Sequence, residues 1–277
     1  MARFASYDGT EIAFRRLGAG RPLVCLTGGP GRTCEYLGDL GGLAGSRQLV
    51  LPDTRGTGAS GDADPASYRC DRLVRDIEAL RGHLGLERMD LLGHSAGANV
   101  AVLYAAAHPG RLDHLVLLTP GLRALGVEIT DEQQRPALER RSGEPWYADA
   151  MAAVEKAEAG DDSPEVRSRY MPFLYGRWDR AAQAHATLGF SERARALQAG
   201  FYADGAFDPE ATRAAAARLA APVLVYAGGL DLIPVEALAQ AARLFPRGEV
   251  AVQPGAGHYP WLDDPPEFTA AISSFLG

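Results

Sequence analysis

The chain has 277 residues, with 28 Lys+Arg against 35 Asp+Glu and a formal net charge of −7. That length fits one large domain or one domain carrying an insertion, and an acidic chain without a Lys/Arg stripe excludes nucleic acid as its partner. Hydrophobic residues reach 47%, enough for a sizeable core, but no run of about 18 apolar residues occurs, so no membrane span is expected.

The opening MARFASYDGTEIAFRRLG has no apolar signal-peptide core. Cys25, Cys34 and Cys70 are odd in number and lack CxxC spacing, so free thiols in a reducing, cytoplasmic setting are expected. EIAFRRLG alternates and stops at Gly18, as an early hairpin strand does. RPLVCLTGG and RQLVLPDTRGTGAS are each a short apolar strand followed by a polar, Gly-rich loop. CDRLVRDIEALRGHLGL spaces Leu73, Ile77, Leu80 and Leu84 by three and four, an amphipathic helix ended by Gly85. MDLLGHS is a strand, AGANVAVLYAAAHPG a helix ended by Pro109 and Gly110, and LDHLVLLTPG a further strand.

From about residue 122 to 212 the pattern turns helical, with no convincing strand. Strand form returns at APVLVYAGGLD. The helix VEALAQAARLFP, the strand and loop EVAVQPGAGH and the closing helix DPPEFTAAISSFLG follow. Strand–helix alternation implies a mostly parallel sheet with helices on both faces. The expected division is a core of residues 1–121 and 213–277, with 122–212 inserted as a helical cap over the C-terminal strand edge, where such sheets place their sites.

Gly93-His94-Ser95-Ala96-Gly97 matches G-x-S-x-G between a strand and a helix. The turn is so tight that the flanking positions must be small, and it lifts the serine oxygen above the sheet edge. A serine hydroxyl needs a base. Of six histidines, His94 adjoins the serine and should point away from it. His83, His108, His114 and His185 read as structural or exposed. His258, in PGAGHYPWLDDP after the last strand, is the candidate base. Asp231, a few residues past the VLVYAGG strand, is the candidate acid that orients it; Asp263 and Asp264 read as helix caps or solvent-facing groups. The amides of Ala96 and, from TGGPG, Gly29 are the candidate oxyanion donors, since Pro30 has no N–H. In DTRGTGAS, Asp53 and Arg55 read as loop braces more readily than as substrate contacts. No dinucleotide fingerprint, P-loop or metal-ligand spacing occurs, so neither cofactor nor metal is expected.

Together these residues resemble the α/β-hydrolase superfamily, and within it the proline iminopeptidase family of serine peptidases, over nearly the whole chain. TGGPG is similar to that family's HGGPG, DTRGTGAS to its DQRGxGxS, GHSAGAN to its nucleophile turn, and LQAGFYADGAF to a stretch near the end of its cap. The resemblance implies an α/β-hydrolase fold, a triad of Ser95, Asp231 and His258, Gly29 and Ala96 as oxyanion donors, and no cofactor. Four positions depart from the pattern. Thr27 stands for His, Thr54 for Gln, Ala96 for Trp, and Gln198 for a cap Glu that helps hold the substrate's α-amine. A neutral amide attracts an ammonium less than a carboxylate does; the cap acids Glu128, Glu144, Asp149 and Asp179 are the candidate replacements.

The expected activity is hydrolysis of a small-molecule ester or amide through an acyl-enzyme. One alternative is a proline iminopeptidase-like aminopeptidase acting on short peptides; another is a non-hydrolytic ligand-binding or acyl-transfer protein on the same fold. Trp146, Tyr147, Phe173, Tyr175 and Trp178 either line an apolar pocket or form the cap's own core, and Trp261 carries the same ambiguity.

Overall fold

The computed structural model describes residues 1–161, 163–190 and 192–277. Eight strands form one sheet: β1 Ala2–Ala5, β2 Glu11–Leu17, β3 Pro22–Leu26, β4 Gln48–Pro52, β5 Met89–His94, β6 Leu112–Leu118, β7 Val223–Gly228 and β8 Gly248–Gln253. Their order across the sheet is β1-β2-β4-β3-β5-β6-β7-β8. Only the β1–β2 and β2–β4 pairs are antiparallel. The chain reverses its direction of travel beside β3, the switch point at which open sheets leave a crevice above the strand ends.

β5 is buried along its whole length, as expected of a central strand covered on both faces. Helices α1 (Cys70–His83) and α2 (Ala96–Ala107) cover one face, with Leu73, Ile77 and Leu80 of α1 in that core. The other face packs against residues 34–43 and the C-terminal helix, through Tyr36, Leu40, Phe268 and Ile272. α1 ends at Leu84 and Gly85, whose φ of 68° is the left-handed conformation that closes helices.

Between β6 and β7 the described residues hold helices and no strand: α3 Asp131–Glu139, α4 Tyr147–Glu158, α5 Pro164–Tyr170, α6 Arg180–Ala186, α7 Arg195–Phe201 and α8 Pro209–Ala216. The boundary expected at 212 falls inside α8, which packs against α2. After β7 come α9 Val235–Ala242, α10 Pro260–Asp263 and α11 Pro265–Leu276. No helix among the described residues is long and apolar enough to cross a membrane. Cys25, Cys34 and Cys70 are buried and unpaired.

Candidate active site

β5 runs directly into α2 through Ser95, whose φ of 54° and ψ of −122° lie outside the regions a non-glycine residue favours. Its neighbours show why small residues surround it. A Cβ on Gly97 would stand 2.5 Å from the Thr27 carbonyl oxygen, and one on Gly93 would stand 2.7 Å from Cα of Ala98. A Cβ on Gly28 would meet Cβ of Ser95 itself at 2.7 Å. The strained turn is held from below: the Ser95 carbonyl accepts N–H bonds from Ala98 and Gly121, at 3.0 and 2.9 Å.

His258 stands on the loop after β8 and Asp231 on the loop after β7. His258 Nδ1 lies 3.0 Å from Oδ2 of Asp231 and 3.2 Å from Oδ1. Asp231 is 3% exposed, and its Oδ1 also accepts the Leu232 N–H at 2.7 Å. The His258 loop is pinned at its backbone: the carbonyl accepts from the Thr119 hydroxyl at 3.0 Å and its N–H donates to Leu174 at 2.8 Å. Ser95 and His258 line one cleft of about 470 Å³, the order of size of a small-molecule site. Gly29 lines it as well. Neither the Gly29 nor the Ala96 amide donates a hydrogen bond among the described residues, and Ala96 opens α2, where helix amides are unsatisfied.

His94 turns away from the serine. Its Nδ1 is 2.7 Å from the Tyr36 hydroxyl and its Nε2 is 3.1 Å from the His258 carbonyl. The same Tyr36 oxygen accepts the Gly28 N–H at 2.7 Å. Burial, followed by the nearby His258, holds His94 well below the ordinary histidine range, and burial pushes the Tyr36 phenol up. A phenol donating to Nδ1 leaves the proton on Nε2, which donates to the His258 carbonyl. One relay thus ties the Gly28 loop, the Ser95 turn and the His258 loop together.

The expected braces are in place. Asp53 accepts the amides of Cys34 and Ala59. Arg55 is fully buried and paired with Asp8 and Asp76. Asp264 caps α11 by accepting the Glu267 N–H. Asp263 is not a helix cap: half-buried, it accepts the amides of Gly257 and Gly176, at 2.8 and 3.1 Å. It clamps the loop before His258 to the cap, a contact over 87 residues of sequence that spacing cannot reveal.

The aromatic candidates divide. Trp146, Tyr147 and Phe173 pack together as a core within the helical insertion. Tyr175, Trp178 and Trp261 join the core beneath. The cleft is lined instead by Tyr170, Met171, Leu174, Phe190, Tyr202 and Tyr259, with Gln198, Arg32 and Arg167 as its polar side chains. The replacement acids do not reach it. Glu144 pairs with Arg141, Asp149 with Arg169, Asp179 caps α6, and Glu128 lines a separate groove. Arg32, Arg167, Phe190 and Tyr202 had no sequence signal, because each is an ordinary loop or helix residue until the insertion folds over the sheet. Among the described residues no cluster of His, Cys, Asp or Glu could hold a metal.

Comparison with known proteins agrees with this fold. The family described as alpha/beta hydrolase fold matches residues 21–265. A proline iminopeptidase of Heyndrickxia coagulans is 24% identical over 99% of this chain and 97% of its own. An N-formylmaleamate deformylase of Pseudomonas putida is 30% identical over 81% of this chain and 76% of its own. Among solved structures, an esterase from Exiguobacterium antarcticum superposes with a TM-score of 0.75 at 20% identity, covering 99% and 98% of the two chains.

Proposed function

The chain belongs to the alpha/beta hydrolase fold family and is a hydrolase of that fold resembling the proline iminopeptidases, and we propose that it cleaves a small-molecule ester or amide with Ser95 as nucleophile, His258 as base and Asp231 as its orienting acid. One observation carries this reading: the serine of a strained strand–helix turn shares a cleft with a histidine whose far nitrogen is bound to a buried carboxylate.

In the proposed mechanism, Oγ of Ser95 attacks the substrate carbonyl while Nε2 of His258 takes its proton. Asp231 holds Nδ1–H and stabilises the imidazolium. The oxyanion is received by the amides of Gly29 and Ala96 at the positive end of α2. His258 then protonates the departing alcohol or amine, leaving an acyl-serine. Water attacks that ester with the proton again passing to His258. The acid leaves and Ser95 recovers its proton.

The aminopeptidase reading has the weaker support, since among the described residues no Asp or Glu lines the cleft to hold a free α-amine. The non-hydrolytic reading leaves the His258–Asp231 pair without a task. The test is a hydrolysis panel on wild type and Ser95→Ala, with acyl esters in one arm and aminoacyl anilides, amine free or blocked, in the other. The proposal expects turnover of esters or blocked amides and a loss of at least about a thousandfold in the variant. Turnover confined to free-amine anilides makes it an aminopeptidase. Retention of activity within tenfold by Ser95→Ala contradicts the serine mechanism.

A further inference from the structure

Arg32 follows the TGGPG loop and is 4% exposed, a depth at which a charged side chain normally has a carboxylate partner. It has none among the described residues. Its two terminal nitrogens bind the Tyr259 hydroxyl, at 2.8 Å, and the carbonyls of Leu188 and His185, at 2.7 and 3.4 Å. Its Nε–H is buried without an acceptor. The guanidinium is stacked on three rings, Tyr36, Phe190 and Tyr259, at 4.0, 4.8 and 5.5 Å. Carbonyls and ring faces hold a cation in position but leave its charge uncancelled.

This charge lies on the Ser95 cleft, whose lining among the described residues includes no acidic side chain. Gln198, at the position where the peptidase resemblance has a carboxylate, lies against the same loop: a Cβ on Gly31 would be 3.5 Å from its Cγ. Arg32 therefore makes the described lining of the cleft positive, the reverse of what an α-ammonium requires. We propose that the substrate carries a carboxylate, and that Arg32 is the residue that selects it. Resting on the serine-hydrolase reading above, this names its substrate class: an ester or amide of a small dicarboxylic or otherwise carboxylate-bearing acid. A carboxylate suits Arg32 better than a phosphate dianion, because three of its five N–H groups are already engaged and only two remain, the Nε–H among them. Phe190, which covers one face of the guanidinium and is 58% exposed, is the ring that a bound acid displaces.

The test compares p-nitrophenyl hydrogen succinate with the p-nitrophenyl ester of monomethyl succinate, which differ only in one masked charge. Wild type is expected to prefer the free acid at least tenfold in kcat/KM, through KM. Arg32→Gln is expected to bring that ratio to about one, and Arg32→Lys to retain most of it. A wild-type preference for the methyl ester, or a ratio unchanged in Arg32→Gln, overturns the proposal. If Arg32→Gln does not fold, calorimetry on Ser95→Ala decides: succinate is expected to bind at least tenfold more tightly than succinamide, and equal binding overturns it. That arm requires no turnover, so succinate binding with an inactive wild type refutes the serine mechanism while the carboxylate-binding cleft stands.

Discussion

Gly28 is the residue whose substitution separates site from fold most cleanly. A methyl there points at Cβ of Ser95, 2.7 Å away, and at His94 Nδ1, 3.1 Å away. Since Cβ contacts under 3.0 Å force a shift, Gly28→Ala is expected to displace Ser95, the proposed nucleophile, while most of the core stays packed. The expected readout is at least about a hundredfold loss of kcat/KM, as misplacement by about an ångström produces, with a thermal midpoint within a few degrees of wild type. A variant of normal activity would show that Ser95 is not the attacking group. At this scale Ser95, His258 and Asp231 stand out in the sequence as the proposed triad, because motif, chain order and strand ends all constrain them. Arg32 could not: an arginine after a Gly-rich loop reads as solvated, and its burial is made by rings at positions 36, 190 and 259.

The site's loops are coupled through the 3-10 turn at Cys34–Leu37. Tyr36 on that turn takes the Gly28 amide and gives its proton to His94, which in turn holds the carbonyl of His258. Tyr36→Phe leaves a buried amide without an acceptor and His94 Nδ1 without a donor. Such orphaning costs about 1–3 kcal/mol, and kcat is expected to fall about tenfold, since the Gly28 loop carries the Gly29 donor. Chemical denaturation and initial rates on an ester check both halves; unchanged kcat would uncouple the relay from catalysis. The strands and α1 were legible because short apolar runs and a 3.6-residue period signal them directly. The insertion was legible only as helical. Its apolar residues are divided between a small core of its own, around Phe173, and the cleft roof at Tyr170, Met171 and Leu174. Neighbouring residues thus face opposite ways, and no periodicity announces which.

For the whole molecule, two buried imidazoles set the acid side of stability. Burial lowers His185 to about 4 and holds His94 well below the ordinary range. Both stay neutral in the fold while the unfolded chain takes up protons below about 6.5. The unfolded state then binds more protons, so stability is full above that pH and falls as pH drops toward the folded values. Asp263, raised by burial, acts in the opposite sense and offsets part of the fall, so the window set by the histidines is read from about 6.5 down to 5. A fall in the thermal midpoint of about 5 °C across it is expected, and His185→Gln should flatten the slope. A midpoint that stays level or rises on acidification would contradict the neutral, buried assignment of these rings.

In the proposed mechanism Ser95, activated by His258, is the nucleophile. The most direct measurement is labelling of the wild-type protein and of His258→Ala with a fluorophosphonate, the modified position being read by peptide mass mapping. The expected result is loss of fluoride and one phosphonyl group on Ser95, formed rapidly in wild type and at least about a hundredfold more slowly without His258. An adduct at another residue, or labelling of Ser95 at the same rate in both proteins, would contradict it.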